Sequence, residues 1–164
     1  MSLFDKHDPF QVYLGSVIER AGREAQRDGS ATIEAQHMLL AIAGRDGTEP
    51  QAILAAAGLD HGGIGAALDR EFEQSLAVAG VSARAADLPE PVARQSAADS
   101  LGASGKLVFE RMMSTYAKRE LRPEHLLLAI LRAEVGTVPR ALAAAGVDRT
   151  ELINQVRAAL GESE

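Results

Sequence analysis

A chain of 164 residues with a net charge of −6 is long enough for one domain or two small ones. Hydrophobic residues make up 46% of it, aromatic residues only 4%, and Trp is absent, so Ala and Leu must supply most of the core, which favours packed helices over a β-sandwich. The acidic excess lies in residues 1–80, with 6 Lys or Arg against 12 Asp or Glu. Nucleic-acid binding needs clustered positive charge, so the charge balance argues against that class.

Cysteine usage and hydropathy place further limits on the protein. The absence of Cys excludes disulfides, thiol nucleophiles and Cys-ligated zinc, and it fits a reducing cytosol. No apolar run approaches the 18 or more residues of a membrane span, and the N-terminus lacks the apolar segment of a secretory signal. The sequence therefore predicts a cytoplasmic protein with no membrane segment.

The predicted elements begin with an amphipathic helix over about residues 10–28, in which apolar residues recur at helical spacing. A short, almost wholly apolar helix, HMLLAIA, follows from His37. Thr48 is placed to cap a third helix, which ends at Gly58, a position where glycine can adopt the left-handed conformation. Asp60 then caps a fourth helix with an apolar stripe.

These four helices form a first repeat over residues 10–78. Residues 79–104 are rich in Ala, Ser, Pro and Gly, and Pro89 and Pro91 exclude a continuous helix, which predicts a linker. A second long amphipathic helix is expected over about residues 101–118.

The remaining elements repeat the earlier order over residues 105–160. HLLLAIL is a second apolar helix, starting at His125, and Thr137 stands where a cap for the next helix is expected. Gly146 follows LAAA as a second helix-ending glycine, and Asp148 starts a final helix with capping-box spacing.

A shift of 88 residues aligns the two copies. HMLLAIAGRDGTEPQAILAAAGLD, residues 37–60, then lies on HLLLAILRAEVGTVPRALAAAGVD, residues 125–148, with small compensating insertions. A match of this length indicates an internal duplication. The sequence therefore predicts a single all-α domain of two tandem four-helix repeats, eight helices in all, packed about a pseudo-twofold axis.

Motifs that would carry chemistry are absent or incomplete. SLGASGKL, residues 100–107, lacks the first Gly and the final Ser or Thr of a phosphate-binding loop. The four histidines show no metal-ligand spacing, and His37 and His125 are expected to have structural roles at the starts of their helices. No nucleophile motif is present. The sequence predicts a protein that is not an enzyme and has no cofactor and no metal site.

The doubled phrase resembles the N-terminal repeat domain of the Clp ATPases of the ClpA and ClpC type. The family pattern, approximately I-G-T-E-H-[IL]-L-L-[AG]-[LI], falls on Ile33–Ile42 and Leu121–Ile130, and the first helix of the family is recognisable from Phe10. The resemblance covers about residues 10–75 and 105–160.

This resemblance implies an eight-helix domain that captures substrate peptides or adaptor proteins, without unfolding activity, because the AAA+ modules are absent from the sequence. The chain is then either an excised N-terminal domain or a free-standing double-repeat protein of a kind found in actinobacteria. We expect the second, because Gly161–Glu164 ends just beyond the last helix. Such a protein would act as an adaptor, decoy or regulator of Clp proteolysis, with the Clp unfoldase or protease as a partner. The alternative is sequestration of the cyclic peptide antibiotics that target the Clp N-terminal domain.

The resemblance also singles out two positions at the starts of the apolar helices. The Glu of each family G-T-E-H, associated in some ClpC proteins with phosphoarginine binding, corresponds to Gln36 and Glu124. A guanidinium group pairs less well with a neutral amide than with a carboxylate, so one of the two sites is weakened. Glu124 equally fits a carboxylate stabilised by the helix dipole.

Four apolar residues are candidates for a binding surface between the repeats. Phe10 and Ile18 come from the first long helix, and Leu107 and Met112 come from its counterpart. Each of these residues fits the core as well as a binding surface, and the sequence leaves both roles open.

Overall fold

Eight α-helices and no β-strand make up the regular structure of residues 7–84 and 87–162, the part of the chain that the computed structural model describes. The helices are α1 (Pro9–Asp28), α2 (Ala35–Ala43), α3 (Glu49–Ala56), α4 (His61–Val78), α5 (Ala103–Thr115), α6 (Pro123–Leu131), α7 (Thr137–Ala144) and α8 (Arg149–Ala159). Residues 85 and 86 of the predicted linker, and residues 163 and 164 at the end, lie outside the described residues. The predicted all-α class and the number of helices are confirmed.

The contacts between helices show how the two repeats are related. Within the first repeat α2 packs against α1, α3 and α4, and within the second repeat α6 packs against α5, α7 and α8. The contacts between repeats occur as exchanged pairs: α1 with α6 and α5 with α2, α4 with α7 and α8 with α3. α2 and α6 also contact each other directly. This exchange of partners is what a pseudo-twofold axis between α2 and α6 produces.

The apolar helices α2 and α6 lie at the centre of the domain because they are surrounded by the other six. Every residue of α6 from His125 to Leu131 is buried, and so is nearly all of α2. A single hydrophobic cluster includes residues from all eight helices, so neither repeat has a core of its own. The burial of these apolar side chains away from water contributes to the driving force for folding.

The two LAAAG segments end their helices in the same way. Gly58 has a φ of 77° and Gly146 a φ of 71°, the left-handed region expected from the sequence. The amide of Leu59 donates to the Leu54 carbonyl at 2.8 Å, and that of Val147 to the Leu142 carbonyl at 3.0 Å. These are Schellman motifs, which satisfy carbonyls that the helix end would otherwise leave without partners.

The caps predicted for α4 and α8 are present, whereas α2 and α6 begin two residues before His37 and His125. Asp60 accepts a hydrogen bond from the Gly63 amide at 2.7 Å, and Asp148 accepts from the Thr150 amide at 3.0 Å. The expectation that Thr137 caps α7 is wrong: Thr137 is the first residue of the helix, and Gly136, with a φ of 112°, precedes it. Only glycine reaches such a φ without strain, which moves the helix start back by one residue.

The predicted linker crosses the surface of α1. The amide of Ala98 donates to the Gly22 carbonyl at 3.1 Å, and the amide of Arg94 donates to the Gln26 carbonyl at 2.9 Å. A Cβ on Gly22 would lie 2.3 Å from the Ala98 carbonyl oxygen, so glycine is what permits this approach. The described part of the linker is therefore held against the first repeat although it lacks regular structure.

α5 is shorter than the sequence indicates. It begins at Ala103 and ends at Thr115, and a single 3-10 turn, Lys118–Glu120, follows after two residues outside regular structure. Tyr116 has extended backbone angles, and its ring contacts the ring of His125 at a centroid distance of 4.1 Å, with the two planes tilted by 52°. This ring contact favours the early end of the helix.

Candidate peptide-binding groove between the repeats

The two buried histidines occupy equivalent places at the starts of α2 and α6. In the first repeat, Nδ1 of His37 accepts the Glu34 amide at 2.9 Å, and Nε2 lies 2.6 Å from Asp28 Oδ2. Because Nδ1 acts as an acceptor, the neutral ring carries its proton on Nε2 and donates it to Asp28. His37 is 1% exposed. Its contacts fix the start of α2 to the end of α1.

His125 repeats half of this arrangement. Its Nδ1 accepts the Arg122 amide at 2.9 Å, while Nε2 lies 4.0 Å from Glu162 Oε1, beyond the end of α8. Burial lowers the pKa of His125, and the Glu162 carboxylate offsets part of that effect. Among the described residues, no group of three or more His, Cys, Asp or Glu side chains is arranged to hold a metal ion.

A carboxylate from the first repeat caps the first helix of the second. Glu34 Oε2 accepts hydrogen bonds from the Ser104 amide at 3.0 Å and from the Ser104 hydroxyl, and Oε1 accepts from the Thr32 hydroxyl at 3.0 Å. Ser104 in turn accepts the Ala35 amide at 2.9 Å. Burial raises the pKa of the Glu34 carboxyl, but the hydrogen bonds from Ser104 and Thr32 outweigh it and hold that pKa below its usual value of 4.5. Glu34 and Ser104 therefore cap α5 and α2 reciprocally across the repeat boundary.

An open groove lies beside this reciprocal cap. Its volume is about 290 Å³, and it is bounded by the start of α2, one side of α5 and the connection from α6 into α7. Two of the sequence candidates, Gln36 and Leu107, lie in its wall. Leu107 is 47% exposed and Val135 is 86% exposed, so both offer apolar surface to a ligand. We call this the inter-repeat groove.

The charged side chains that line the inter-repeat groove are two arginines, Arg111 and Arg140, and one carboxylate, Glu34. Arg111 donates to the Ala129 carbonyl at 3.3 Å, and Arg140 Nε lies 2.9 Å from Glu71 Oε1. The Arg140 side chain is 57% exposed, whereas Glu71 is buried. The carboxylate of Glu34 in the same wall is occupied by Ser104 and Thr32. The groove thus combines apolar walls with guanidinium groups and the neutral amide of Gln36.

The pseudo-equivalent position at the start of α6 is built differently. The Tyr13 hydroxyl and Glu124 Oε2 are both shielded from solvent, and neither has a hydrogen-bond partner among the described residues. Burial raises the pKa of Tyr13, with Glu124 adding to this and Arg45 opposing it. The Arg45 guanidinium lies 5.2 Å from the centre of the Tyr13 ring and donates to the Ser16 hydroxyl. Glu124 therefore lies in a polar cluster between α1 and α6 that already contains a cation of the chain itself.

One pair of aligned residues contributes to the difference between the two positions, beside Gln36 and Glu124. The 88-residue shift places Arg45 on Ala133. Ala133 lines the inter-repeat groove, where a small side chain leaves space. Arg45 instead places its long side chain over Tyr13. The duplication has thus left the two positions with different shape and charge.

The other apolar candidates lie in or against the core. Phe10 is 4% exposed and Met112 is 1% exposed, and both belong to the hydrophobic cluster. Ile18 is partly buried and packs against the same cluster. Of the two roles that the sequence allowed, the structure places Phe10 and Met112 in the core, and a ligand could touch them only if the core opened.

Comparison with known families bears on the second repeat directly. Residues 112–164 match the family described as the Clp repeat (R) N-terminal domain. This segment, about a third of the chain, is therefore similar to a Clp repeat. The resemblance that the sequence predicted is confirmed for this part of the chain.

The fold of the whole chain also has a counterpart among solved structures. The crystal structure of the N-terminal domain of the caseinolytic protease associated chaperone ClpD from Arabidopsis thaliana matches with a TM-score of 0.61 over 98% of each chain. Sequence identity is 19%, so this likeness concerns the fold. A search of curated protein sequences gives no significant match.

Several residues around the inter-repeat groove were not predicted from the sequence. Val135 and Arg140 lie in the irregular connection and at the start of α7, and Arg111 lies on α5. The capping role of Glu34 was not predicted because its partner, Ser104, is 70 residues away in sequence. The one available signal was the loss of Arg45 at the aligned position Ala133, which indicates free space in the second copy.

Proposed function

We propose that this Clp-related module is a non-catalytic protein that binds an extended peptide segment in the inter-repeat groove. The observation that carries the proposal is the open groove itself, which has Leu107 and Val135 exposed on its walls. The guanidinium groups of Arg111 and Arg140 also line it. Exposed apolar side chains in a concave site, accompanied by a few polar groups, are typical of peptide-binding sites. A peptide with one apolar anchor and a nearby acceptor group fits this lining.

Substitution at Leu107 tests the site. Peptide arrays identify ligands of the wild-type chain, and the best peptide is then titrated by fluorescence anisotropy. Leu107→Glu places a charge on the apolar wall and should weaken binding by about tenfold or more, since burying a Leu-sized side chain contributes about 1.5–3 kcal/mol. Val78→Glu is the matched control, because Val78 is 91% exposed at the end of α4 and does not line the groove. Equal affinities for the two variants would refute the assignment of the groove.

The biological role that we propose is that of an adaptor, decoy or regulator of Clp proteolysis. The Clp repeat in residues 112–164 and the fold shared with the ClpD N-terminal domain support this role. A decoy competes with the N-terminal domain of a Clp unfoldase for the same peptide, so adding the chain should release labelled peptide from that domain. An adaptor should instead form a ternary complex. If the experiment shows no release of peptide and no ternary complex, the proposed role in Clp proteolysis is contradicted.

The alternative role, sequestration of cyclic peptide antibiotics, receives less support. It depended on Phe10 and Ile18 being available on α1, and Phe10 is 4% exposed. The linker also covers α1 at Gly22. Calorimetry with a cyclic heptapeptide tests this role directly.

A further inference from the structure

A second groove lies on the first repeat and shares no lining residue with the inter-repeat groove. It has a volume of about 370 Å³ and lies between α1, the end of α2 and the start of α4. Arg20, Arg23 and Arg27 line it, together with Glu24 and His61. We call it the arginine groove.

The charge of the arginine groove is opposite to that of the surrounding sequence. Residues 1–80 contain 6 basic and 12 acidic residues, and three of those six basic residues line this one groove. The three arginines are spaced at three and four residues, so they follow one face of α1 over about 10 Å. Charges farther away than about 8 Å are largely screened at physiological ionic strength. A ligand in the groove therefore meets the three arginines together with the two carboxylates paired with them, Glu19 at 2.6 Å from Arg23 and Glu24 at 3.6 Å from Arg27.

The guanidinium groups keep hydrogen-bonding capacity for a ligand. Arg20 donates to the Gly44 carbonyl at 2.7 Å, which uses one of its five N–H groups and fixes the side chain. Arg23 pairs with Glu19 at 2.6 Å, and both side chains are more than half exposed, so this pair is weak and replaceable. The Arg27 side chain is 71% exposed and lies 3.6 Å from Glu24.

The remaining lining determines what kind of anion fits. Leu40 and Ala41 contribute apolar surface, and Glu24, only 15% exposed, pairs with His61 at 2.7 Å. A carboxylate within the lining repels a ligand with a continuous run of phosphates. Separate carboxylates on a peptide can instead meet the arginines in turn, because a guanidinium matches a carboxylate in bidentate geometry.

We propose that the arginine groove is a second docking site, which binds an acidic segment of a partner protein that carries several carboxylates and an apolar side chain between them. This site is separate from the inter-repeat groove and does not depend on peptide binding there.

The test uses the full chain and a labelled decapeptide with Glu at every third or fourth position and Leu between them. Its counterpart has Gln in place of each Glu. Fluorescence anisotropy should show that the Glu peptide binds about tenfold more tightly or better, and that added salt weakens this binding. Equal affinity of the two peptides would overturn the proposal.

Variants locate the site and control for net charge. Arg23→Glu combined with Arg27→Glu should reduce affinity for the Glu peptide by about tenfold or more. Arg70→Glu combined with Arg84→Glu makes the same change in net charge at exposed positions outside the groove, and it should leave the affinity nearly unchanged. Glu24→Gln should raise the affinity, because it removes the repelling carboxylate. Circular dichroism checks that each variant is folded.

Three further results would overturn the proposal. These are an equal loss of affinity in the two charge-reversed pairs, a Glu24→Gln variant that binds more weakly while folded, and a single-stranded oligonucleotide that binds as tightly as the Glu peptide. The last result would assign the groove to polyanions in general.

Discussion

Substitution by alanine at two glycines of α1, Gly15 and Gly22, should change the free energy of unfolding in opposite directions. Alanine in a helix interior is normally more favourable than glycine by about 0.5–1 kcal/mol. Gly15 is exposed, and nothing lies within 4 Å of an added Cβ. Gly15→Ala should therefore increase the free energy of unfolding by that amount.

At Gly22 the same methyl group meets the linker. Its Cβ would lie 2.3 Å from the Ala98 carbonyl oxygen, a backbone atom that cannot turn away as a side chain could. The linker has to move, which puts at risk the 3.1 Å hydrogen bond from the Ala98 amide to the Gly22 carbonyl. Overpacking of this kind costs about 1–3 kcal/mol, which exceeds the gain in helix propensity. Gly22→Ala should therefore lower the free energy of unfolding by about 1 kcal/mol, in a range of about 0–2.5 kcal/mol, after that gain is subtracted.

Urea unfolding followed by circular dichroism measures both variants, and thermal melts provide a second readout. For a chain of this size about 1 kcal/mol corresponds to about 2–4 °C in Tm, so the two melting temperatures should move apart in opposite directions. Hydrogen exchange at the Ala98 amide should become faster in Gly22→Ala and stay unchanged in Gly15→Ala. Equal stabilisation of the two variants would show that the linker does not lie on α1, and the reasoning would be wrong.

Two further predictions concern the starts of α2 and α6. Glu34→Ala should lower the free energy of unfolding by about 1–2 kcal/mol through loss of the cap on α5, while Glu90→Ala, in the exposed linker, should not. The folded-state pKa of Glu34 is lowered, so its contribution is present above the usual value of 4.5 and is lost as the pH falls through the lowered pKa. Urea unfolding across that range should show wild type and Glu34→Ala converging in acid, and a constant difference would contradict this. Glu124→Gln should weaken capture of Arg-rich or arginine-phosphorylated peptides, and Gln36→Glu should strengthen it, by about tenfold each. Unchanged affinities, measured by anisotropy, would leave Glu124 as part of the helix start alone.

Local sequence signals predicted the elements that depend on neighbouring residues. The apolar runs of α2 and α6 and the glycines Gly58 and Gly146 could be read directly, because burial on all sides and a left-handed helix end each demand particular residue types. The same local signals predicted Thr137 as the cap of α7, whereas the cap residue is Gly136, one residue earlier. Both residue types are common at helix starts, and the local sequence does not show which of the two is the cap.

Features that depend on distant residues could not be read in this way. The capping of α5 by Glu34 needs a partner 70 residues away, and the docking of the linker on Gly22 needs one 76 residues away. Periodicity showed that Phe10 and Met112 lie on the apolar faces of their helices, but it could not show whether another helix covers those faces. The sequence predicted a binding surface between the repeats and two of its residues, Gln36 and Leu107. The rest of the inter-repeat groove could not be predicted because it is formed where three separate segments meet.

The shared core has a consequence for the order in which the chain is made. α2 packs on α6, and α4 packs on α7, so the first repeat keeps apolar surface uncovered until the second has left the ribosome. At a synthesis rate of about 5–20 residues per second, the roughly 80 residues between the end of α4 and the end of α8 take about 4–16 s. During that time the apolar surface of the first repeat has no second repeat of its own chain to cover it. The second repeat of a neighbouring chain could cover it instead. Domain exchange between neighbouring chains on one messenger RNA therefore competes with folding within a chain.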